Sequence, residues 1–160
     1  MKESMRIGYG EDSHRLVAGR PLLVGGVAIE GSPVGSEAHS DGDVLLHALA
    51  DALLSAFALG DIGRIFPPDD PKHRDIAGQE IVRTVLARVR RVAGRLTVHN
   101  VAAVVTLDEP KLGPKREGIE RRIGSLLALE PGRVGVTFKT SEGAAPGLIQ
   151  ARVTVLLNTD

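Results

Sequence analysis

The sequence predicts an α/β fold of the α+β type, in which a small mixed sheet carries three main helices packed on one face. Two observations predict it. Segments with alternating apolar residues, typical of strands, are interspersed with three segments whose apolar residues recur at helical spacing. The chain has 160 residues, of which 42% are hydrophobic, enough to bury the core of a single domain, which we assign to residues 1–160.

The N-terminal segment predicts a strand followed by a hairpin. Met5 to Tyr9 is typical of a short strand that enters a loop at Asp12–His14. Within Pro21 to Ile29, the Gly25-Gly26 pair suits the positive φ angles that a tight hairpin turn requires. Gly31 to Ala38 is expected to be a polar loop of the kind that positions functional groups.

The first helix is predicted from Asp43 to Leu59, where leucines recur at helical spacing. Either Ser40 or Asp41 is the expected N-cap, and Gly60 is the expected stop. Residues 61–74 form a segment rich in proline and aspartate that predicts an irregular loop, because proline cannot occupy a helix interior.

The C-terminal half predicts the remaining two helices and three strands. An amphipathic helix is expected over about Gly78 to Val92, and a buried strand over Val98 to Leu107. A third helix is expected from Pro114 to about Leu129, because proline is favoured at the first helical position. Alternating apolar residues predict strands over 134–138 and 149–157. Helices on one face leave the other face of the sheet to be covered, which indicates self-association.

Composition excludes several classes of function. Lys+Arg and Asp+Glu are 20 each, so no broad basic field exists for a nucleic-acid partner. Because cysteine is absent, any metal must be held by His, Asp or Glu. No segment is long and apolar enough to span a membrane, and no signal peptide is evident, so a cytoplasmic location without membrane association is expected.

Three side chains are candidates for a metal site. Asp12 and His14 are two residues apart, so both point the same way if the segment is extended. With His47 they make the ligand set of an open zinc site, with a fourth position left for substrate. The alternatives are a turn-capping Asp12 with an exposed His14, and His47 as a core histidine. Asp43 and Asp51 lie four residues either side of His47, so either carboxylate is a candidate to orient its imidazole, unless that face is simply exposed.

Two further segments suit an anion. His39, Ser40 and the Gly42 amide precede a helix whose N-terminus attracts phosphate, although Ser40 as a plain N-cap is the alternative. The segment Lys139 to Gly143 offers hydroxyls for phosphate oxygens and Glu142 for a hard divalent cation, with an ordinary turn as the alternative.

These blocks, in their order and spacing, resemble the 2-C-methyl-D-erythritol 2,4-cyclodiphosphate synthase family. The resemblance spans Arg6 to about Leu157. It is carried by six blocks: Arg6 to His14, Ala38 to Asp43, His47-Ala48 with Asp51 to Leu54, Leu59 to Gly63, Phe66-Pro67 and Pro110-Lys111.

The resemblance implies a reaction and an assembly. The family's substrate is 4-diphosphocytidyl-2-C-methyl-D-erythritol 2-phosphate, whose 2-phosphate attacks the β-phosphate so that a cyclic diphosphate forms and CMP leaves. The family is a homotrimer with active sites between neighbouring subunits. A zinc-dependent phosphoesterase and a non-catalytic metal-stabilised trimer are the rival hypotheses.

The resemblance also implies roles for individual residues. Zn²⁺, or another divalent transition metal, is expected on Asp12, His14 and His47, and a second ion, Mg²⁺ or Mn²⁺, on Glu142. His39 and Thr140 match the catalytic positions that stabilise the transition state. Substrate contacts are expected from Asp12, His14, His39 and Ser40. The methylerythritol-phosphate pocket is expected at Asp61, Ile62, Gly63, Phe66, Pro67, Pro68, Asp69 and Asp70. The cytidine diphosphate pocket is expected in the segment Leu107 to Gly113, chiefly at Leu107, Pro110, Lys111, Leu112 and Gly113, and at Lys139, Thr140 and Ser141, with Glu142 as a further substrate contact.

The sequence departs from the family pattern at three places. Residues 143–148 form a shorter loop than is usual, with no arginine before Arg152. Lys139 stands where threonine is usual, and Pro68 stands where aspartate is usual.

Overall fold

The structure is a computed structural model that describes residues 4–159. Its strands, in chain order, are β1 (Ser4–Ala18), β2 (Leu23–Val24), β3 (Val27–Ala28), β4 (Val34–Ser36), β5 (Leu96–Leu107), β6 (Val134–Lys139) and β7 (Leu148–Thr159). Its α-helices are α1 (Val44–Ser55), α2 (Ile62–Ile65), α3 (Gly78–Ala93) and α4 (Arg116–Leu127). Two 3-10 turns lie at Pro71–His73 and Gly113–Lys115.

The main sheet has five strands in the order β4-β1-β7-β5-β6. β1 pairs antiparallel with β4 and β7, and β5 pairs antiparallel with β7. β5 and β6 run parallel, joined by the crossover through α4, so the sheet is mixed as predicted. β2 and β3 form a separate hairpin around Gly25 and Gly26, both with positive φ, as the Gly-Gly pair predicted.

The helices cover one face of this sheet. On β7, alternate residues from Ile149 to Leu157 are fully buried beneath them. α1 lies against β1 and β7, and α4 lies against β6. α3 packs chiefly against α1 rather than on the strands, so the helical layer is two deep at that point. The prediction of helices packed on one face of a small mixed sheet is confirmed.

The first strand is much longer than predicted. β1 continues through Asp12–His14, where Asp12 pairs with Ala151 and His14 with Ile149, so these residues lie in a strand and not in a loop. The segment 31–38 was expected to be irregular, but it contains β4, which pairs with the end of β1. Both differences arise because pairing with β7 and β1 satisfies backbone groups whatever the local sequence.

The first helix is shorter than predicted, and its N-cap is Asp43 rather than Ser40 or Asp41. The Asp43 carboxylate accepts the Leu46 N–H at 3.0 Å. The helix ends at Ser55, and Ala58 already has a positive φ of 54° before Gly60. The segment 61–74 is also less irregular than expected, because α2 and the 3-10 turn at Pro71–His73 occupy it.

The other face of the sheet is open in the single chain. Its exposed apolar side chains come from β1: Met5, Ile7 and Tyr9 are 60%, 70% and 50% exposed. A row of large apolar side chains on one strand is unusual for a surface that stays in water. Among residues 4–159, no helix is long and apolar enough to span a bilayer.

Candidate metal centre

Two glycines on β1 allow the candidate ligand residues of this strand to lie against α1. A Cβ at Gly8 or Gly10 would come within 3.0 Å of backbone atoms of Ala52 or Ala48 on the helix. Because backbone cannot swing aside, only glycine permits this approach at both positions. Side chains alternate along a strand, so Asp12 and His14 follow Gly8 and Gly10 on the face that meets α1.

Asp12, His14 and His47 meet at one point. Oδ2 of Asp12 lies 2.8 Å from Nε2 of His14 and 3.1 Å from Nδ1 of His47, and the two imidazole nitrogens are 3.4 Å apart. A tetrahedral zinc ion bound at about 2.0–2.1 Å needs donors about 3.3 Å apart, so a small opening of the cluster accommodates one. The three form a group able to hold a metal ion, and residues 4–159 contain no other group of this kind.

The electrostatics of the group match a metal site. Burial raises the pKa of Asp12, but hydrogen bonds from His14 and His47 outweigh it and hold this pKa at about 2. Burial lowers the pKa of His47, but the hydrogen bond and charge of Asp12 outweigh it and raise this pKa. The Asp12 carboxylate is therefore ionised and attracts positive charge. A bound metal cation would supply that charge in place of a proton on the imidazole of His47.

Ser40 orients the imidazole of His47. Its Oγ lies 3.2 Å from Nε2 of His47, the nitrogen that points away from Asp12. A metal-bound histidine ordinarily donates its other ring N–H to such a partner, which fixes the tautomer and the ring. The sequence-based expectation that Asp43 or Asp51 does this is wrong. Asp43 accepts the N–H groups of Gly25, Gly26 and Leu46, and Asp51 accepts the N–H of Ile62 at 2.8 Å.

The segment before α1 is held by contacts that the sequence did not indicate. Arg20 donates to the carbonyl oxygens of Ala38 and Ser40, at 2.7 and 3.1 Å. Asp41 accepts the Gly78 N–H at the start of α3. The Gly42 amide is not free for an anion as expected, since it donates to Ser40 Oγ at 3.1 Å. The helix N-terminus is likewise occupied, by the buried Asp43 carboxylate.

His39 is exposed beside this centre. Its carbonyl oxygen accepts the Asp75 N–H at 2.7 Å, which fixes the backbone while the imidazole stays open to solvent. Ser40, by contrast, is half-buried and already bonded to His47. The two neighbours therefore offer different chemistry, an exposed imidazole and a fixed hydroxyl.

The predicted sugar segment, Asp61 to Asp70, is ordered by short-range contacts. Asp61 caps α2 by accepting the Arg64 N–H at 3.2 Å. The N–H of Ile62, the residue after Asp61, donates to the Asp51 carboxylate on α1. Phe66 packs edge-on against His73, with ring centroids 5.2 Å apart. Asp51 thus ties this segment to the helix that carries His47. Pro68 and Asp69, also predicted to contact the sugar, are exposed on the surface of the loop.

Six of the residues predicted to contact the nucleotide line one cavity of about 240 Å³. It is lined by Val105, Leu107, Lys111, Leu112, Gly113, Pro114, Phe138, Lys139 and Thr140, six of which were predicted. Drug-sized ligands occupy pockets of about 300–1,000 Å³, so this one suits a single ring such as a pyrimidine base. Pro110 lies just outside it and follows a cis peptide bond from Glu109.

Thr140, Ser141 and Glu142 form a tight turn beside that cavity. Thr140 Oγ1 accepts the Glu142 N–H and lies 3.2 Å from Glu142 Oε1. Glu142 is exposed and has a positive φ of 54°. Asp108, which lies in the predicted nucleotide segment but was assigned no role of its own, accepts both the N–H and the hydroxyl of Ser141. Its contact with Ser141 could not be predicted from its place directly after a buried strand.

Comparison with known proteins identifies the family. The model of the YgbB family matches residues 5–158. A protein of Thermus thermophilus named 2-C-methyl-D-erythritol 2,4-cyclodiphosphate synthase is 54% identical over 96% of this chain and 99% of its own length. A protein of Deinococcus radiodurans with the same name is 54% identical over 95% of this chain and 93% of its own length.

Solved structures agree with the sequence relatives. A structure of 2C-methyl-D-erythritol-2,4-cyclodiphosphate synthase in a form bound to CDP superposes with a TM-score of 0.87 at 51% identity. The match covers 95% of this chain and 99% of that one. Because family model, relatives and structures all match over nearly the whole length, this chain belongs to the YgbB family.

Proposed function

We propose that this chain converts 4-diphosphocytidyl-2-C-methyl-D-erythritol 2-phosphate into 2-C-methyl-D-erythritol 2,4-cyclodiphosphate, as an enzyme of isoprenoid biosynthesis. An oxygen of the 2-phosphate forms a bond to the β-phosphorus, the bond from that phosphorus to the α-phosphate oxygen breaks, and CMP leaves. The observation that carries the proposal is the convergence of Asp12, His14 and His47 in a chain whose relatives bear this enzyme's name.

The metal assignments extend this proposal. Asp12, His14 and His47 would hold Zn²⁺, and Glu142 would hold Mg²⁺ or Mn²⁺, since a carboxylate suits a hard cation. When bound, the two ions would supply positive charge to the diphosphate as Lewis acids. Asp12, whose pKa is about 2, keeps its ligand oxygen deprotonated at neutral pH.

The Ser40 hydroxyl is proposed to donate a hydrogen bond to the substrate. Its Oγ accepts the Gly42 N–H, and it accepts Nε2–H when Nδ1 of His47 carries the metal. Both acceptor positions are then filled by N–H donors, so the hydroxyl proton is left to donate to a phosphate oxygen. His39, exposed and adjacent, is proposed to add a second donor to the transition state.

Thr140 would act at the nucleotide side of the reacting phosphates. Its hydroxyl faces the Glu142 carboxylate in the free protein, and it is released to a phosphate oxygen when that carboxylate turns to a cation. Leu107, Lys111, Leu112 and Gly113 would hold the base, and Lys139 lines the same cavity. Asp61 and Ile62 would hold the methylerythritol hydroxyls. Phosphoryl transfer depends on such positioning, because the nucleophile is part of the substrate.

A homotrimer with active sites between subunits is part of the proposal. The exposed side chains of Met5, Ile7 and Tyr9 give the open face of the sheet an apolar surface that a second copy would cover. The trimeric state itself rests on the family resemblance. A cytoplasmic location stays a prediction.

The experiment that tests the function is product analysis with zinc-loaded protein and Mg²⁺ in H₂¹⁸O. Cyclisation releases CMP and gives a cyclic diphosphate, visible by ³¹P NMR, without ¹⁸O in either product. A phosphoesterase would place ¹⁸O in a linear product, and that result would overturn the proposal. His47→Ala should abolish both zinc binding and CMP release while the protein stays folded; stoichiometric zinc in this variant would contradict the ligand assignment.

The second ion has a separate test. Glu142→Gln should raise the Mg²⁺ concentration needed for half-maximal rate while zinc content stays at the wild-type level. Glu130→Gln, an exposed carboxylate just beyond the end of α4, is the matched control and should change neither. An unaltered Mg²⁺ response in Glu142→Gln would remove the role assigned to that residue.

A further inference from the structure

Both oxygens of the Asp108 carboxylate accept hydrogen bonds from Ser141, which is 33 positions further along the chain. Oδ1 accepts the Ser141 backbone N–H at 2.6 Å, and Oδ2 accepts the Ser141 hydroxyl at 2.8 Å. Hydrogen bonds to an ionised carboxylate are stronger than neutral ones. The backbone N–H of Ser141, and then its hydroxyl, hold the pKa of Asp108 below its ordinary value, so the acceptor is charged at neutral pH.

Ser141 in turn organises the loop that follows it. Its Oγ accepts the Ala145 N–H at 2.8 Å, and its carbonyl oxygen accepts the Ala144 N–H at 3.1 Å. The loop therefore closes back on Ser141, and Asp108 anchors Ser141 to the end of β5 from the opposite side. Residues 142–144 are all exposed, so packing contributes little to their position.

Thr140 and Glu142, which flank Ser141, are proposed above to act on the phosphates and on the divalent cation. Glu142 has a positive φ of 54°, a conformation that costs free energy for a residue with a side chain and that needs surrounding contacts to maintain it. The hydrogen bonds that Asp108 accepts from the preceding residue supply such contacts. Asp108 also links this turn to the loop that lines the nucleotide cavity. Lys111, which lines the cavity, donates to the Asp108 carbonyl oxygen at 3.1 Å.

We propose that Asp108 is a positioning residue that, through Ser141, sets the orientation of Thr140 and Glu142 toward the bound nucleotide diphosphate and its divalent cation. This inference rests on the proposed function. A direct contact between Asp108 and the substrate is disfavoured, because a carboxylate facing phosphate would repel it, and both oxygens are already turned to Ser141.

The first test concerns the contact itself and needs no ligand. Amide hydrogen exchange is compared between the wild type and Asp108→Ala over residues 140–145. Loss of the anchor should raise exchange in this segment at least about 10-fold, with the core strands unchanged. Exchange that stays at the wild-type rate would overturn the proposal. Asp108→Asn, which retains one acceptor oxygen and the side-chain volume, serves if the alanine variant does not fold, and it should give a smaller rise.

The second test concerns the consequence for binding. Zinc-loaded protein is titrated with CDP and Mn²⁺, and bound Mn²⁺ is read by electron paramagnetic resonance. Asp108→Ala should weaken Mn²⁺ binding in the CDP complex about 10-fold, with zinc content unchanged. Loss of a residue that orients a metal ligand by hydrogen bonding has an effect of this size in other metal sites. Glu117→Gln, an exposed carboxylate on α4, is the matched charge control and should bind as the wild type does.

A double-mutant cycle separates positioning from a general effect. Ser141→Ala and Asp108→Ala both remove the bond from the Ser141 hydroxyl to Oδ2, so the loss of binding in the double variant should be smaller than the sum of the two single losses. Additive losses would overturn the proposal. If the wild type binds neither CDP nor Mn²⁺, the proposed function fails, whereas unimpaired Mn²⁺ binding by Asp108→Ala, with a competent wild type, defeats this inference alone.

Discussion

Gly10 on β1 lies directly against the carbonyl group of Ala48 on α1, with no room for a side chain between them. Two residues further along β1, Asp12 reaches Nδ1 of His47, one residue before Ala48, at 3.1 Å. The strand and the helix thus approach closely beside the point where Asp12, His14 and His47 meet. The distance between the two halves of the candidate metal centre is fixed by a glycine.

Gly10→Ala should therefore damage folding and metal binding together. A Cβ within 3.0 Å of the Ala48 oxygen forces β1 away from α1, and overpacking of this kind costs about 3 kcal/mol of unfolding free energy. The same displacement separates Asp12 from His47. Urea unfolding measures the first effect and zinc competition with a chelator the second.

The control for this substitution is Gly118→Ala on α4, where an added Cβ has no atom within 4 Å. It should leave stability unchanged or slightly raised, since alanine favours a helix over glycine. A Gly10→Ala protein with wild-type stability and zinc affinity would show that β1 can shift without disturbing the centre.

The three candidate ligands could be predicted from the sequence, but the contact that brings them together could not. Asp12, His14 and His47 were recognisable because metal-binding side chains have a characteristic chemistry and spacing. Gly10 was not, because its requirement arises from a helix 38 residues further along the chain, and glycine alone carries no local mark of that contact. The same holds for β1 at Asp12–His14: pairing with β7 makes it a strand, and no local pattern of apolar residues predicts it.

For Asp43 and Asp51, the sequence predicted the helix face correctly but not the hydrogen-bond partners. Asp43 and Asp51 share a helix face with His47, which made both candidates to orient its ring. Each is turned instead to backbone amides, of Gly25, Gly26 and Leu46 for Asp43 and of Ile62 for Asp51. Spacing predicts which side of a helix a carboxylate lies on, but the partner is decided by the loops that pack there.

Ser40→Ala should lower zinc affinity without removing a ligand. Loss of the Oγ leaves Nε2 of His47 without its partner, and loss of such a partner typically costs about 10- to 100-fold in metal affinity. Zinc affinity is measured by competition with a chromogenic chelator. Ser13→Ala is the matched control, since Ser13 lies between two ligands but on the opposite, exposed side of β1. Equal zinc affinities in the two variants would contradict the role given to Ser40.

Asp51 should make the metal-free protein less stable as pH rises. Burial raises the pKa of Asp51 to about 6, from an ordinary value of 3.8, while the Ile62 N–H opposes the change. Between these two values the folded state holds a proton that the unfolded state has released. Stability therefore falls as pH rises from about 4 to about 6.

Asp51→Asn should remove that part of the pH dependence. The amide keeps an oxygen for the Ile62 N–H but carries no charge to desolvate, so above pH 6 the variant should be the more stable by on the order of 1 kcal/mol, a figure reduced because Asp51 is partly exposed. Chemical unfolding at several pH values in the presence of a chelator measures the effect. The idea fails if both proteins lose stability in parallel over this range.

Ile7→Arg should dissociate the proposed homotrimer. Ile7 is 70% exposed in the single chain and lies between Met5 and Tyr9 on the open face of the sheet. A guanidinium buried there without a partner costs on the order of 2 kcal/mol or more per subunit, so sedimentation should show monomers and CMP release should fall. Val92→Arg on α3 places the same charge at an apolar site that is 61% exposed and away from this face. The Val92→Arg protein should remain a trimer with full activity. If the Ile7→Arg protein has the same sedimentation coefficient as the Val92→Arg protein, the subunits associate through another surface.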